Sequence, residues 1–343
     1  MSELAAGQSL DQYQLVDVIA RSGMATIYRA VDTESGQTVV LKVPYLQYES
    51  DIVFHERFLR EEHIGQRLDH PGVIKILRPR HKSRMYIVEE FVEGELLSDR
   101  LHRERPFAIS TAMGLALQIV DVLVYLHSHN VVHRDLKPEN VMLMADGNIK
   151  LMDFGIALDT TARKMTWAGL SNTMGTPDYM APEQVKGLRG DARTDIYSLG
   201  AILYEMLTGQ VPFPSDNIYA AMRAKVRENP IPPRRLRHEI SPHIEEIILR
   251  AIERDPRNRF ESAFEMREAL RHPDSIVVTD RGAREQPKPR LPRWGRALIT
   301  VAAGVAAFGL LLWTVSRISS WALRMRATRS PSSALSVPSQ SGR

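Results

Sequence analysis

Three short stretches of the chain hold the residue types that phosphoryl transfer requires. They are HRDLKPEN at 133–140, DFG at 153–155 and APE at 181–183. Moving a phosphoryl group to a hydroxyl needs a carboxylate beside that hydroxyl, oxygen ligands for a divalent metal, and a cation near the transferred group. Asp135 can supply the carboxylate and Lys137 the cation, while Asn140 and Asp153 carry the hard oxygen donors that Mg²⁺ prefers.

The elements predicted around these stretches change from strands to helices along the chain. Alternating apolar residues predict strands at 14–20, 25–31, 38–43 and 85–91, with a hairpin turn at 34–37. Apolar residues at helical spacing predict helices at 54–68 and 109–127. Strands followed by helices indicate the α+β class, with a small sheet lobe joined to a larger helical lobe.

In this order and at these spacings, the three stretches resemble the protein-kinase signature set. The resemblance covers 13–271 and includes VVLKV at 39–43, GTPDYMAPEQ at 175–184, DIYSLG at 195–200 and DPRNRF at 255–260. GMATIY and GTPDYMAPEQ are most similar to the bacterial eukaryotic-like Ser/Thr kinases. The resemblance implies a two-lobed fold with a β-rich N-lobe and a helical C-lobe. It also implies ATP as phosphoryl donor, with Mg²⁺, or Mn²⁺ in its place, as the metal.

The resemblance assigns a role to each matching position. Asp135 would be the catalytic base, and Thr176 would bridge Asp135 and Lys137 below the substrate hydroxyl. Lys42 would hold the α- and β-phosphates and pair with Glu61, with the neighbouring Glu62 as a poorer match in register. The residues expected to line the ATP site are Ala20, Ser22, Gly23, Ala25, Ile27, Val40, Lys42, Glu61, Glu90 and Val92, and those expected to bind metal are Asn140 and Asp153.

Four further positions are expected to have structural roles. Glu183 and Arg259 would form a buried ion pair. His133 is interpreted as a packed core residue in preference to a proton shuttle. Asp195 is expected to cap its helix and to hold the catalytic loop.

The loop expected to cover the phosphates departs from the family pattern. Ala20, Ser22 and Ala25 stand at the three positions that are usually glycine, and only the extra Gly23 remains. Glycine lets backbone N–H groups approach phosphate without a Cβ in the way. Val40 also stands where Ala is usual above the adenine ring. We therefore expect weaker ATP binding than in relatives with a complete glycine loop.

Glu89 precedes the predicted hinge, residues 90–92, at a position where a hydrophobic residue is common. In this register its carboxylate lies at the rear of an apolar pocket, where it must be paired or neutralised. A register shifted by one residue would leave Glu89 exposed instead.

The segment 153–183 is rich in hydroxyl groups and follows an Arg–Asp pair, Arg134 and Asp135. In family members with this Arg, phosphate on the segment pairs with it. We therefore expect autophosphorylation here, with Thr166, Ser171 and Thr173 as candidate sites and the last two favoured by their nearness to GTPDY.

Excess positive charge is concentrated near the C-terminus. The formal net charge is +4, and residues 280–343 hold 11 of the 45 basic and 2 of the 41 acidic side chains. The rest of the chain is mildly acidic, which argues against nucleic acid as a partner. The chain has no cysteine, so disulfides, thiolate metal sites and Cys nucleophiles are excluded.

Residues 297–316 carry no charge and are long enough to span a bilayer as a helix. They follow a basic Pro/Arg-rich juxtamembrane linker at 272–296 and precede a short, disordered tail at 317–343. A buried core helix is the alternative, but a helix apolar all round needs protein on every side. The more basic N-terminal flank predicts a single-pass plasma-membrane protein with its kinase domain, 13–271, in the cytoplasm. Ala303 and Ala307 have the small-xxx-small spacing of paired helices, which would give a homodimer.

Two functions fit this sequence. The first is a membrane-anchored Ser/Thr kinase that phosphorylates protein substrates. The alternative is a pseudokinase scaffold that binds partners with weak or no nucleotide turnover. Pseudokinases generally lose residues of the Lys42, Asp135 or Asp153 type, and all three are present here. The active kinase is therefore favoured.

Overall fold

The computed structural model describes residues 4–49, 51–153, 177–279 and 281–283. The chain divides into two units, 1–287 and 288–343, and every described residue belongs to the first. Thr176, the three candidate phosphosites and the predicted membrane crossing lie outside the described residues.

The N-lobe is built on a six-stranded antiparallel sheet with the strand order β1-β2-β3-β4-β6-β5. The predicted hairpin is confirmed, since β3 and β4 pair along their length and Gly36 takes a φ of 73° in the turn between them. The predicted strand at 85–91 is shorter, because pairing begins only at Ile87. The strands are β1 Ser9–Leu10, β2 Tyr13–Arg21, β3 Ala25–Asp32, β4 Thr38–Pro44, β5 Ile76–Leu77 and β6 Ile87–Glu90.

Strand β4 shows the alternation that separates the two faces of this sheet. Val39, Leu41 and Val43 are buried in one hydrophobic cluster, so Val40 and Lys42 face the other way. That second face packs against the helix that follows, through contacts between Ile87 and Phe58. Lys42 is thereby directed towards the helix expected to supply its partner.

Two short helices complete the N-lobe: α1 at Leu46–Glu49 and α2 at Ile52–Gly65. The helix predicted at 54–68 is α2, which begins two residues earlier and ends three residues earlier. Gly65, the last residue of α2, lets the helix lie close to β5, because a Cβ there would lie 2.1 Å from Ile76 Cδ1. The following residues form turns, with Leu68 N donating to Gly65 O.

The C-lobe is helical and holds the largest hydrophobic cluster of the described chain. Helix α6 lies at its centre and is buried from Thr194 to Leu207. Gly200 allows α9 to approach, because a Cβ there would lie 2.6 Å from Ala251 Cβ. The helices are α3 Leu97–Arg103, α4 Ile109–Ser128, α5 Pro182–Val185, α6 Ala192–Thr208, α7 Ile218–Arg227, α8 Pro233–Leu236, α9 Pro242–Ala251 and α10 Ala263–Arg271.

A small antiparallel sheet connects the lobes and places the predicted motifs. Its strands are β7 Gly94–Leu96, β8 Val141–Met144 and β9 Ile149–Leu151, in the order β7-β8-β9. HRDLKPEN runs directly into β8, and β9 runs directly into DFG. Because β8 and β9 pair, the start of β8 and the end of β9 lie side by side, and Val141 is opposite Leu151.

Among the described residues, α4 is the helix with the length and apolar composition of a membrane span. Its apolar residues Ala112, Leu115, Ile119, Val122, Leu123 and Leu126 are all buried in the C-lobe cluster. The packing of α4 therefore explains its composition. The crossing predicted at 297–316 is a different segment.

Candidate active site

Asp135, Lys137 and Asn140 form one hydrogen-bonded cluster before β8. Lys137 Nζ donates to Asp135 Oδ2 at 2.7 Å. Asn140 Nδ2 donates to the backbone oxygen of Asp135 at 2.7 Å and to Oδ2 at 3.2 Å. Since these side-chain bonds converge on Oδ2, Oδ1 is the oxygen that can accept a proton from a hydroxyl. A 3₁₀ turn at Pro138–Asn140 fixes the end of this loop.

Asp195 anchors the same loop from within α6. Its carboxylate accepts the backbone N–H groups of His133 and Arg134 at 2.9 and 2.8 Å, and His127 Nε2 at 2.8 Å. Arg134 has a φ of 63°, a conformation that an L-residue adopts only when its surroundings enforce it. Burial acts to raise the pKa of Asp195, but the bonds from His127 and the loop hold that pKa below its usual value.

Of the two roles expected for Asp195, one is confirmed and one is wrong. It holds the catalytic loop, but it does not cap its helix. Asp191 caps α6 instead, accepting the N–H of Arg193. Asp195 lies one turn further on, where the N–H groups it meets belong to another segment. His133 is packed, as expected, with 0% exposure and its Nε2 3.0 Å from Met152 O.

Lys42 lies between two carboxylates. Its Nζ donates to Glu61 Oε1 and to Asp153 Oδ1, each at 2.8 Å. Glu62 faces away and pairs with Lys82, so the choice of Glu61 is confirmed. Burial acts to lower the pKa of Lys42, but the nearby carboxylates outweigh it and keep the ammonium charged. The Lys42 ammonium is the main reason that the pKa of Asp153 is lowered.

The side chains expected around the nucleotide share one face of the N-lobe sheet. Ile27 lies opposite Lys42, and Lys42 lies opposite Ile87 on the next strand. Directly opposed residues of antiparallel strands project to the same side. Val40 belongs to this side as well. Val92 follows β6 and packs against the C-lobe cluster. These residues thus line the region between the two lobes.

Glu90 takes part differently from what its place in the hinge suggested. Its carboxylate accepts Lys75 N at 2.8 Å and pairs with Lys150. Its backbone N donates to Lys75 O at 2.9 Å. The Glu90 side chain is thus bound to Lys75 and Lys150. Its backbone carbonyl is the group that can face a nucleobase.

A divalent metal fits the oxygen donors on this site. No group of three or more His, Cys, Asp or Glu ligands occurs among the described residues. Mg²⁺ does not need one, because it binds through one or two protein oxygens together with phosphates and water. Asn140 directs its NH₂ group to Asp135, which leaves Oδ1 as a donor. Asp153 binds Lys42 through Oδ1, and its Oδ2 remains the second candidate donor.

The turn expected to cover the phosphates is closed by a serine side chain. Ser22 Oγ accepts the N–H of Ala25 at 3.0 Å and that of Met24 at 3.3 Å. Ser22 N donates to Ala25 O at 2.8 Å. Ala25 is 2% exposed and faces the interior, and Ala20 pairs with Ile27 in the strand before the turn. Two N–H groups that could bind phosphate therefore already have an acceptor.

Ser22→Gly is expected to lower the KM for ATP about threefold to tenfold with little change in kcat. The substitution frees two N–H groups, and a hydrogen bond to a charged group contributes more than one to a neutral group. Steady-state kinetics with varied ATP measure the effect. Ala25→Gly is the matched control, since it leaves the Ser22 hydroxyl in place. Equal KM values for Ser22→Gly and the natural chain would contradict this account of the turn.

Glu89 is buried at the rear of the site, with 8% exposure. It lies opposite Val40 on β4 and opposite Ile76 on β5, which confirms the original register. Burial is the main cause that raises its pKa to about 8, and the Asp153 carboxylate adds to it while Lys42 opposes. The carboxyl group is therefore largely neutral in the folded apo protein at neutral pH.

Glu89→Gln is expected to stabilise the apo protein increasingly as pH rises from about 5 to 8. In that range the folded protein keeps a proton on Glu89 that the unfolded chain releases, so the stability of the natural chain falls with pH. The gain at pH 8 should be at least about 1 kcal/mol. Urea unfolding at several pH values measures it, with the exposed Glu93→Gln as control. A pH-independent difference would show that Glu89 is not protonated in the fold.

Several contacts near the site were not predicted. Tyr179 Oη donates to Glu205 on α6, and Gln184 Nε2 donates to Arg134 O at 2.8 Å. Lys225 on α7 donates to backbone carbonyls just before APE. Each of these contacts joins residues more than 25 positions apart, and no local sequence pattern predicts such a pair. The predicted Glu183–Arg259 ion pair is present at 2.7 Å.

Known proteins share both the sequence and the architecture. The family model described as protein kinase domain matches residues 13–273. A probable serine/threonine-protein kinase of Streptomyces coelicolor is 39% identical over 261 residues, which are 75% of this chain and 39% of that protein. Serine/threonine-protein kinase PknB of Mycolicibacterium smegmatis is 35% identical over 285 residues, which are 81% of this chain and 44% of that protein.

The chain thus spans less than half the length of these curated relatives. A likeness in fold extends to the crystal structure of the Mycobacterium tuberculosis PknI kinase domain, with a TM-score of 0.62 and 23% identity. The superposition covers 79% of this chain and 100% of that domain.

Proposed function

Because this chain belongs to the protein kinase family, we propose that it transfers the γ-phosphoryl group of ATP to Ser and Thr hydroxyls of proteins. Its fold is the two-lobed protein kinase fold, with a sheet in the N-lobe and helices in the C-lobe. The family uses ATP and a divalent metal. We assign the metal as Mg²⁺, with Mn²⁺ able to take the same oxygen donors.

One observation carries the proposal: Lys42 is held between Glu61 and Asp153 at 2.8 Å from each. A lysine fixed in this way presents a permanent positive charge to the phosphates of a bound nucleotide. Among the described residues, Asp135 Oδ1 is the oxygen left to accept the proton of the attacking hydroxyl, and Lys137 is placed to balance negative charge on the transferred group. The metal, when bound at Asn140 and Asp153, neutralises phosphate charge.

An acidic cavity beside this cluster indicates which acceptors fit. It has a volume of about 360 Å³ and is lined by the three acids Glu139, Asp178 and Glu205, with Arg105 3.9 Å from Glu205 and His102 also on its wall. Oε2 of Glu139 is buried and has no hydrogen-bond partner within the described part of the chain. Burial raises the pKa of Glu205, the Tyr179 hydroxyl and the Arg105 cation oppose that rise, and the carboxylates of Asp178 and Glu139 add to it. A lysine or arginine side chain of a substrate would give Glu139 Oε2 a hydrogen-bond donor and would favour the charged form of Glu205.

The pseudokinase alternative is disfavoured by the same geometry. A scaffold does not need a lysine fixed towards the nucleotide phosphates, whereas Lys42 here contacts both Glu61 and Asp153. The Ser22 turn weakens nucleotide binding in our account, but it leaves this contact intact.

The test is transfer from radiolabelled ATP, with Mg²⁺, by the purified full chain. Two acceptor peptides are compared that differ only in having Arg or Glu near a central Ser. We expect label in the Arg peptide and much less in the Glu peptide. No label in either peptide or in the chain itself would overturn the proposed activity. Equal labelling of the two peptides would overturn the role of the acidic cavity alone.

We also propose that the chain phosphorylates itself between 153 and 176, at Thr166, Ser171 or Thr173. The added phosphate would pair with Arg134 and order the segment. Mass spectrometry of the active protein should find phosphate in that interval.

Location at a membrane is a further part of the proposal. The uncharged stretch 297–316 has the length of a bilayer-spanning helix, and six Arg or Lys residues precede it between 281 and 296. This supports a cytoplasmic kinase domain, and Ala303 and Ala307 support pairing of two copies. Protease added to intact spheroplasts should remove a tag placed after Arg343 and spare the kinase domain. Extraction of the protein by carbonate would exclude a crossing.

A further inference from the structure

Lys225 lies on α7, and its side chain is buried in the protein. Its exposed fraction is 1%, and it shares the buried face of the helix with Ala221 and Met222. Its Nζ donates to the backbone oxygens of Pro177 at 2.5 Å and Met180 at 3.2 Å, and to that of Asp178. An ammonium group has three donors, and all three are used on one short stretch of backbone.

Stability alone does not explain why an ammonium group is buried here. Removing an ammonium from water is unfavourable, and apolar residues of similar size often stabilise a protein more. Burial acts to lower the pKa of Lys225, the Asp178 carboxylate opposes that effect, and three carbonyl acceptors favour the charged form. What the ammonium provides, and a methionine could not, is three directed bonds that fix the backbone at 177–180.

The stretch 177–180 forms the wall between α7 and the catalytic loop. Asp178 and Tyr179 line the acidic cavity described above, and the hydroxyl of Tyr179 reaches Glu205 on its far side. Four residues later, Gln184 donates to Arg134 O, next to Asp135. Moving this backbone would therefore change the cavity and its alignment with the catalytic carboxylate together.

We propose that Lys225 is a positioning residue for the protein substrate. Its ammonium fixes the 177–180 backbone so that a cationic side chain of the substrate enters the acidic cavity while the acceptor hydroxyl meets Asp135. The inference rests on the proposed kinase activity for its kinetic consequences. Its structural part, the fixed backbone, stands independently of activity.

The first test is a comparison of Lys225→Met with Arg223→Met in the full chain. Both substitutions remove a cation from α7, but Arg223 is exposed. We expect Lys225→Met to raise the KM for the Arg peptide about tenfold, with the KM for ATP within twofold of the natural value. Arg223→Met should leave both constants unchanged. An unchanged peptide KM in Lys225→Met, or an equal rise in the KM for ATP, would overturn the proposal.

The second test separates the ammonium from the packing around it. Lys225→Ala leaves a cavity that n-propylammonium can enter with three N–H donors, whereas tetramethylammonium has none. We expect n-propylammonium alone to restore the peptide KM of Lys225→Ala. Restoration by both ions or by neither would overturn the role of the three bonds.

Hydrogen exchange tests the fixed backbone at 177–180 even if the chain has no kinase activity. Amide exchange of peptides covering 177–185 should quicken in Lys225→Met, while that of α4 stays as in the natural chain. Faster exchange confined to 177–185 would support the fixed backbone even where the proposed activity fails. Unchanged exchange there would overturn the inference with the activity intact.

Discussion

Asp135→Asn and Lys42→Met are each expected to reduce phosphotransfer at least about 10³-fold, because positioning and charge stabilisation supply nearly all the rate of this reaction. Asn at 135 keeps the shape of the side chain but loses the oxygen charge that accepts the proton. Met at 42 removes the cation that Glu61 and Asp153 hold in place. Initial rates with radiolabelled ATP and the Arg peptide measure both losses.

Folding must persist for these losses to be informative. Asp135 is bonded within its own loop, so Asp135→Asn should unfold at nearly the natural temperature. Lys42→Met leaves two carboxylates without their cation and should be less stable, so its rate is measured well below its melting temperature. Asp146→Asn, an exposed acid in the turn between β8 and β9, is the matched control and should be fully active. Near-natural activity of Asp135→Asn would mean that the base is misassigned.

The catalytic residues were predictable because chemistry fixes both their type and their spacing. Asp135, Asn140 and Asp153 belong to two short motifs that a β-hairpin, β8 and β9, brings together. Lys42 was predictable because it lies on a strand with clear alternation. Glu61 and Glu62 differ only in direction around α2, and the register of the motif sufficed to choose between them.

The supporting contacts were harder to predict because they depend on packing between distant segments. Asp195 illustrates this, since its type and place near a helix start suggested a cap. The actual cap is Asp191, whereas Asp195 accepts the backbone N–H groups of His133 and Arg134 in the catalytic loop. The burial of Lys225 could not be predicted, because in the sequence it is one of several cations on an amphipathic helix. The need for glycine at 65 similarly comes from Ile76, a residue of another element.

The stretch 177–184 is held by contacts at both of its ends, and these contacts affect substrate binding more than chemistry. Lys225 holds the backbone at 177–180, and the Glu183–Arg259 pair holds the residues that follow. Directly after Glu183, Gln184 bonds to the catalytic loop. Disruption at either end should therefore weaken substrate binding, but only the ion pair is expected to determine whether the C-lobe remains folded.

Arg259→Met is expected to lower the free energy of unfolding by about 3–5 kcal/mol, because it leaves a buried carboxylate without its cation. Arg259 and Glu183 have side-chain exposures of 0% and 7% and share two bonds, at 2.7 and 2.8 Å. Arg259 also donates to Glu253 O, Arg193 O and, at 3.5 Å, Arg254 O, so the C-lobe loses three backbone contacts as well. Urea unfolding of the full chain measures the loss.

Two further variants identify the cause of that loss. Glu183→Gln combined with Arg259→Met should recover part of the stability, because the double variant no longer buries an unpaired charge. Arg257→Met, two positions away, breaks a pair with Asp255 in which the arginine is 83% exposed, and no measurable loss is expected. If Arg259→Met proves as harmless as Arg257→Met, then the pair does not stabilise the C-lobe. If the double variant is the least stable of the three, then the backbone contacts of Arg259, and not the charge of Glu183, carry the effect.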